Sequence, residues 1–135
     1  MAEKNEIVII DSSFLVAINY QPDLTYERAE RLVNKLSPST LLILPCEVFS
    51  ETINTIWRKI AKIRAQEVAY DVISSEVYTF EQTTPEIYNT ALRKFEKQKK
   101  DVSFTDCIVM AFADSFKTKK ILGFDEAFNK NGYTV

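Results

Sequence analysis

Ile7-Val8-Ile9-Ile10-Asp11-Ser12-Ser13-Phe14-Leu15 is the stretch that decides the fold. Four β-branched residues in a row are the pattern of a strand buried on both faces, as in a parallel sheet, and a carboxylate ends the run. A second such run, Leu41-Leu42-Ile43-Leu44, is closed by Pro45, and Val77 to Phe80 and Lys120 to Leu122 read as shorter strands. Between them lie helical patterns. Phe14 to Tyr20 is a short helix. Thr25 to Leu36 carries Ala29, Leu32, Val33 and Leu36 on one face. A long helix after Pro45 carries Phe49, Ile53, Ile56, Trp57, Ile60 and Ile63, with a shift to a second helix near Arg64-Ala65. Thr83 with Glu86 makes a capping-box pattern with Pro85 in the first turn, opening a helix to about Lys97. Ser103 with Asp106 makes another, opening Thr105 to Phe116 with Ile108, Val109, Phe112 and Phe116 as its face. Tyr133-Thr134-Val135 reads as a last edge strand. Strands alternating with helices predict an α/β fold with a short parallel sheet flanked by helices.

Composition narrows the chemistry. The 135 residues, 46% of them apolar, make one domain (1–135) with a real core, and 17 basic against 19 acidic side chains leave a net charge of −2. The absence of histidine removes imidazole acid–base catalysis, Ser-His and Cys-His nucleophile pairs, and His-ligated zinc. Two glycines, Gly123 and Gly132, exclude a Gly-rich phosphate loop. Cys46 and Cys107, widely spaced and in apolar settings, are expected as buried reduced thiols. Met1 to Glu6 does not have the pattern of a leader, and no apolar run reaches the roughly 20 residues of a membrane helix, so a cytoplasmic location and no membrane contact are expected.

Most of the acids lie among other charges on helix faces. Four are placed differently. Asp11 and Asp125 each follow a buried strand, where sites form in parallel sheets, although both also suit a helix cap or turn. Asp106 opens an otherwise apolar helix, where a capping box is the competing explanation. Glu51 shares a polar stripe with Asn54, Thr55, Arg58 and Lys62, and Glu47 one turn earlier competes with it. Asp101 is a further candidate for the acidic pocket but reads as a loop charge. Carboxylates about 4 Å apart repel by on the order of 4 kcal/mol at an effective dielectric near 20. If the four converge, a hard cation is needed to keep them ionised, and all-oxygen ligation selects Mg²⁺ or Mn²⁺. Carboxylate-held divalent ions suit phosphodiester hydrolysis.

These residues resemble the PIN-domain ribonucleases, and most closely the VapC-type toxins of toxin–antitoxin pairs. Residues 7–15 resemble the first motif, a strand ending in Asp with Ser or Thr two residues on. Leu44-Pro45-Cys46-Glu47-Val48-Phe49-Ser50-Glu51 resembles the second, with the apolar pattern favouring Glu51 over Glu47. Val102 to Ala111 resembles the third and Ile121 to Phe128 the fourth. The resemblance implies a three-layer α/β/α sandwich. It implies catalytic and metal-binding roles for Asp11, Glu51, Asp106 and Asp125, support by Ser13, and Mg²⁺- or Mn²⁺-dependent cleavage of RNA. It also implies an antitoxin partner. Gly123 stands where many relatives carry Ser or Thr. Positive potential for RNA must be local, with Arg58 and Lys62 as candidate contacts and Lys94, Lys97, Lys99 and Lys100 as a second basic run. The generous apolar stripes suggest a homodimer.

Three other readings share this pattern. An RNA-processing or RNA-decay nuclease would carry the same site. A phosphoacceptor signalling domain needs an acidic pair after the first strand and an Asp after the third, and Val77 to Glu81 contains none. An inactive binding module fits poorly with four retained acids.

Overall fold

The computed structural model describes residues 6–135, so the stretch Met1–Asn5, on which much of the leader expectation rests, lies outside the described residues. The elements run β1 (Ile7–Ile10), α1 (Ser12–Ile18), α2 (Tyr26–Asn34), β2 (Leu41–Pro45), α3 (Cys46–Lys59), α4 (Lys62–Ser74), β3 (Tyr78–Glu81), α5 (Pro85–Lys97), α6 (Phe104–Ser115), β4 (Ile121–Leu122) and α7 (Glu126–Lys130). The four strands are all parallel, in the order β3-β2-β1-β4. The chain steps outward from β1 to β3, then returns to the other side of β1. Right-handed crossovers therefore put α1 to α4 on one face and α5 with α6 on the other, an α/β/α sandwich. The order reverses between β1 and β4, and in open parallel sheets that reversal leaves a crevice beyond the carboxyl ends of the strands.

The core explains the strand patterns. Val8, Ile9 and Ile10 are buried between the two helical layers, as are Ile43 and Leu44 beside them. The α6 helix departs from the expected single apolar face: every residue from Cys107 to Ala113 is buried, because the helix is enclosed by α5 and the sheet. On α3 the buried line is Val48, Thr52 and Ile56, one residue per turn, whereas Trp57 and Ile63 of the expected stripe are exposed. Thr52 is tolerated there because its hydroxyl donates to Val48 O at 2.7 Å.

Several local expectations are corrected. α3 stops at Lys59, where Ile60 turns inward onto the core and both its N–H and that of Ala61 bond to Ile56 O. The polar stripe is therefore cut before Lys62, which opens α4. α5 is capped by Thr84 rather than Thr83, with Thr84 Oγ1 accepting from Ile87 N–H at 3.2 Å, while the Thr83 hydroxyl is drawn away to Glu47. β3 begins at Tyr78, leaving Val77 exposed. The carboxyl-terminal strand is reduced to one parallel bridge, Lys120 to Thr134, because buried Tyr133 donates its hydroxyl to Asp114 at 2.6 Å. Both cysteines are free, but Cys46 is only half-buried. Among the described residues no helix is long and apolar enough to cross a membrane.

Candidate active site

The crevice at the β1/β4 reversal is a cleft of about 590 Å³ lined by Asp11, Ser13, Glu51, Asp106 and Asp125. Each acid arrives there for a local reason. Asp11 ends β1 and caps α1, with Oδ2 accepting from the Ser13 N–H at 3.2 Å and the Ser13 hydroxyl at 2.7 Å. Asp125 follows β4 and caps α7, its Oδ1 accepting from Ala127 N–H at 2.9 Å. Asp106 closes the capping box of α6: Ser103 N–H donates to its Oδ2 and its own N–H donates to Ser103 Oγ, both at 3.0 Å. Glu51 projects from the second turn of α3 and takes no hydrogen bond from the described residues.

Capping therefore occupies one carboxylate oxygen of each of three acids. The other oxygen of Asp11, Oδ1, is buried with no partner among the described residues. An unpaired buried acceptor costs roughly 1–3 kcal/mol. The electrostatics agree. Burial pushes the Asp11 carboxyl up to about 7, against the pull of the Ser13 hydroxyl and N–H, with the charges of Asp106 and Glu51 adding to the rise. Burial also raises Asp106, opposed by the Ser103 hydrogen bonds and reinforced by Asp125 and Glu51. The charges of Glu51, Asp106 and Asp125 thus reach Asp11 or Asp106 through the same space. They line an open cleft: among the described residues no three acidic or thiol side chains are already gathered as a metal cage.

Ser13 ties the two strand ends together. Its hydroxyl donates to Asp11 and accepts from Phe124 N–H at 2.9 Å, so the β4 end is hung from the β1 end. Gly123 makes this approach possible, since a Cβ there would lie 2.8 Å from both Asp11 Cβ and Phe128 Cε2. The position admits no serine or threonine without moving Asp11.

The structure also brings in Asp101, read from the sequence as a loop charge, and two residues that spacing did not single out. Asp23, Asp101 and Lys59 line the same cleft. Asp101 sits in the loop before Ser103, and Asp23 accepts from Thr25 N–H at 2.8 Å in a turn. Neither bears a signal in sequence beyond an ordinary turn acid. Of the basic candidates, Arg58 lines a neighbouring cleft with Glu47, Glu51 and Tyr88, whereas Lys62 is exposed and lines neither cleft. Glu47 points into that neighbouring cleft, where the Thr83 and Tyr88 hydroxyls each donate to it at 2.6 Å.

A short parallel sheet reversing at β1/β4, with acids at both strand ends, defines the class. The chain belongs to the PIN-domain family, whose model matches residues 8–132. Its fold is similar to the crystal structure of Mycobacterium tuberculosis VapC20, titled a sarcin-ricin loop cleaving toxin. The TM-score is 0.85 at 21% sequence identity, covering 94% of this chain and 96% of that one. No curated protein matches the chain in sequence.

Proposed function

We propose that the protein is a Mg²⁺- or Mn²⁺-dependent endoribonuclease acting as the toxin of a VapBC-type toxin–antitoxin pair. Asp11, Glu51, Asp106 and Asp125 would hold the cation. The observation that carries this reading is the buried, unpartnered Oδ1 of Asp11 in a cleft shared by three further acids, whose charges add to the raised proton affinity of Asp11 and Asp106. An all-oxygen donor set with a vacant buried lone pair fits a hard cation. When bound, such an ion lowers the pKa of a coordinated water and stabilises charge on the phosphate under attack.

The chain's own contribution is positioning. Ser13 holds Asp11 and the Phe124-Asp125 segment in one register. The capping bonds of Asp106 and Asp125 fix those side chains to the first turns of their helices. Lys59 at the cleft and Arg58 beside Glu51 supply local positive charge to a protein whose net charge is −2.

The fold likeness to a toxin, over 94% of this chain and 96% of that one, favours the toxin reading over an RNA-processing enzyme with the same site. The partners it requires, an antitoxin and a second copy, need apolar surface. Trp57, Ile63, Tyr70 and Ile73 on α3 and α4, and Tyr88, Leu92 and Phe95 on α5, are exposed.

The test is cleavage of labelled single-stranded and stem-loop RNAs by the purified protein. Cleavage is expected with Mg²⁺ or Mn²⁺, absent in EDTA, and lost in Asp106→Asn with an unchanged far-UV CD spectrum. Activity in EDTA or in that variant would sink the assignment. Copurification of a small DNA-binding protein encoded next to this one separates toxin from housekeeping nuclease.

A further inference from the structure

A second groove, of about 730 Å³, opens off the acidic cleft. It lies between the carboxyl end of α5, the loop that follows it, and α7, and it shares Asp101 and Asp125 with the cleft. Its two walls are fastened together by a reciprocal amide pair, with Gln98 Nε2 donating to Asn131 Oδ1 and Asn131 Nδ2 donating to Gln98 Oε1, both at 3.0 Å. Asn131 is itself anchored to Ala127 O at 2.7 Å. The groove is therefore a built feature of the α5–α7 junction.

Its charge is arranged along its length. The two acids it shares with the cleft stand at the junction, and the remaining charged lining is basic except for Glu126. Lys94 is engaged by Asp114 at 2.7 Å and Lys130 by Glu126 at 3.5 Å. Arg93, Lys97 and Lys99 are exposed and make no ion pair among the described residues. Three cations without an ion-pair partner in a groove on a net-acidic protein attract a polyanion, and the groove leads that polyanion to the cleft.

We infer that this groove is the track for the RNA backbone on one side of the acidic cleft, with Arg93, Lys97 and Lys99 each holding a phosphate. The inference rests on the ribonuclease reading and adds the path by which the strand arrives. With a cation in the cleft, one continuous anionic chain suits both spaces, and RNA is such a chain. Losing three phosphate contacts on a single strand flattens the slope of log K against log[salt] by about 2, since each contributes roughly 0.7. The same arithmetic gives a loss of affinity on the order of 100-fold at 0.1 M salt.

The test is fluorescence anisotropy with a 5′-fluorescein 20-nucleotide single-stranded RNA of mixed sequence, titrated in EDTA at several salt concentrations. Arg93→Ala, Lys97→Ala and Lys99→Ala are combined in one variant. The control, Arg31→Ala, Lys35→Ala and Lys117→Asn, removes the same charge elsewhere; asparagine tolerates the positive φ of Lys117. The groove variant is expected to lose affinity and slope as above while the control keeps both within about twofold, a span of roughly 0.4 kcal/mol. Equal losses in the two variants, or none in the groove variant, would overturn the track while leaving the ribonuclease reading in place. A wild-type protein that neither binds nor cleaves RNA would overturn both.

Discussion

Glu47 and Glu51 lie one turn apart on α3 and border one cleft together, yet only Glu51 also lines the acidic cleft. Around Glu47 the protein supplies donors: two hydroxyls close on its carboxylate at 2.6 Å. Burial pushes its proton affinity up, but those hydrogen bonds outweigh burial and hold it below the usual carboxylate range. Around Glu51 the protein supplies acids, and the buried member of that group, Asp11, is pushed up to about 7. A carboxylate met by hydroxyls is finished by the fold. Carboxylates met by one another are not, and a proton or a bound cation relieves their repulsion.

The sharpest way to break this comparison is to neutralise each glutamate. Glu51→Gln is expected to reduce metal-dependent RNA cleavage on the order of 1000-fold, about 4 kcal/mol in kcat/KM. Glu47→Gln should leave it within about threefold. Comparable losses in single-turnover assays of both variants would erase the distinction between the two clefts.

A second effect appears in the metal-free protein. Between the ordinary carboxyl value of 3.8 and about 7, folded Asp11 keeps a proton that the unfolded chain has released. Stability should therefore fall as pH rises through this window, with the loss complete above about pH 7 and on the order of 4 kcal/mol at most. Asp106 contributes in the same direction. Urea titrations in EDTA at pH 5 and pH 8 measure this. Asp11→Asn should flatten the profile, and Mg²⁺ at pH 8 should restore about 2.7 kcal/mol at one hundred times its dissociation constant. A stability that rises from pH 5 to pH 8 without metal would contradict the assignment of strain to the acidic cleft.

Smaller effects probe the supports. Gly123→Ala places a methyl 2.8 Å from Asp11 Cβ and the Phe128 ring, two neighbours with little room to yield. A destabilisation of roughly 1–3 kcal/mol is expected by chemical denaturation. Glu47→Gln weakens the two hydroxyl contacts, for about 1 kcal/mol, with no change in the pH profile described for Asp11. If Glu47→Gln flattened that profile instead, the two clefts would be one electrostatic unit.

The fold was largely legible. The runs at Ile7–Ile10 and Leu41–Leu44 admit little but buried parallel strands, and the capping box at Ser103 and Asp106 forms as its spacing predicts. Errors fell where a neighbour competed for the same group. Thr83 lost its capping role because Glu47 offered its hydroxyl a charged acceptor, and the Tyr133 to Val135 strand gave way to the burial of Tyr133. Trp57 followed the helical period but lies off the buried line of α3, because which side of a stripe faces inward depends on how the helix sits on its sheet.

For the candidate site, sequence offered two competing explanations for each of three acids, helix cap or cleft lining. The structure shows the alternatives are compatible. A carboxylate has two oxygens, and capping takes one. Asp23 and Lys59 could not be singled out, and Asp101 could be weighed only as a loop charge, since they reach the cleft from loops and a helix end whose directions are set by the packing of other elements.

By itself, then, the sequence determined the alternation of strand and helix, the exclusion of histidine chemistry, and the placement of Asp11 and Asp125 at strand ends. These follow from local periodicity and composition, which need no knowledge of distant contacts. Only the tertiary structure decided that β4 returns beside β1, bringing Asp125 and Asp106 to Asp11 and Glu51. It also decided that Glu47 is met by hydroxyls from the β3–α5 loop and from α5, and that an α5–α7 groove opens onto the cleft. Those outcomes depend on which long-range packing buries the most apolar surface, and no local stretch of chain encodes that.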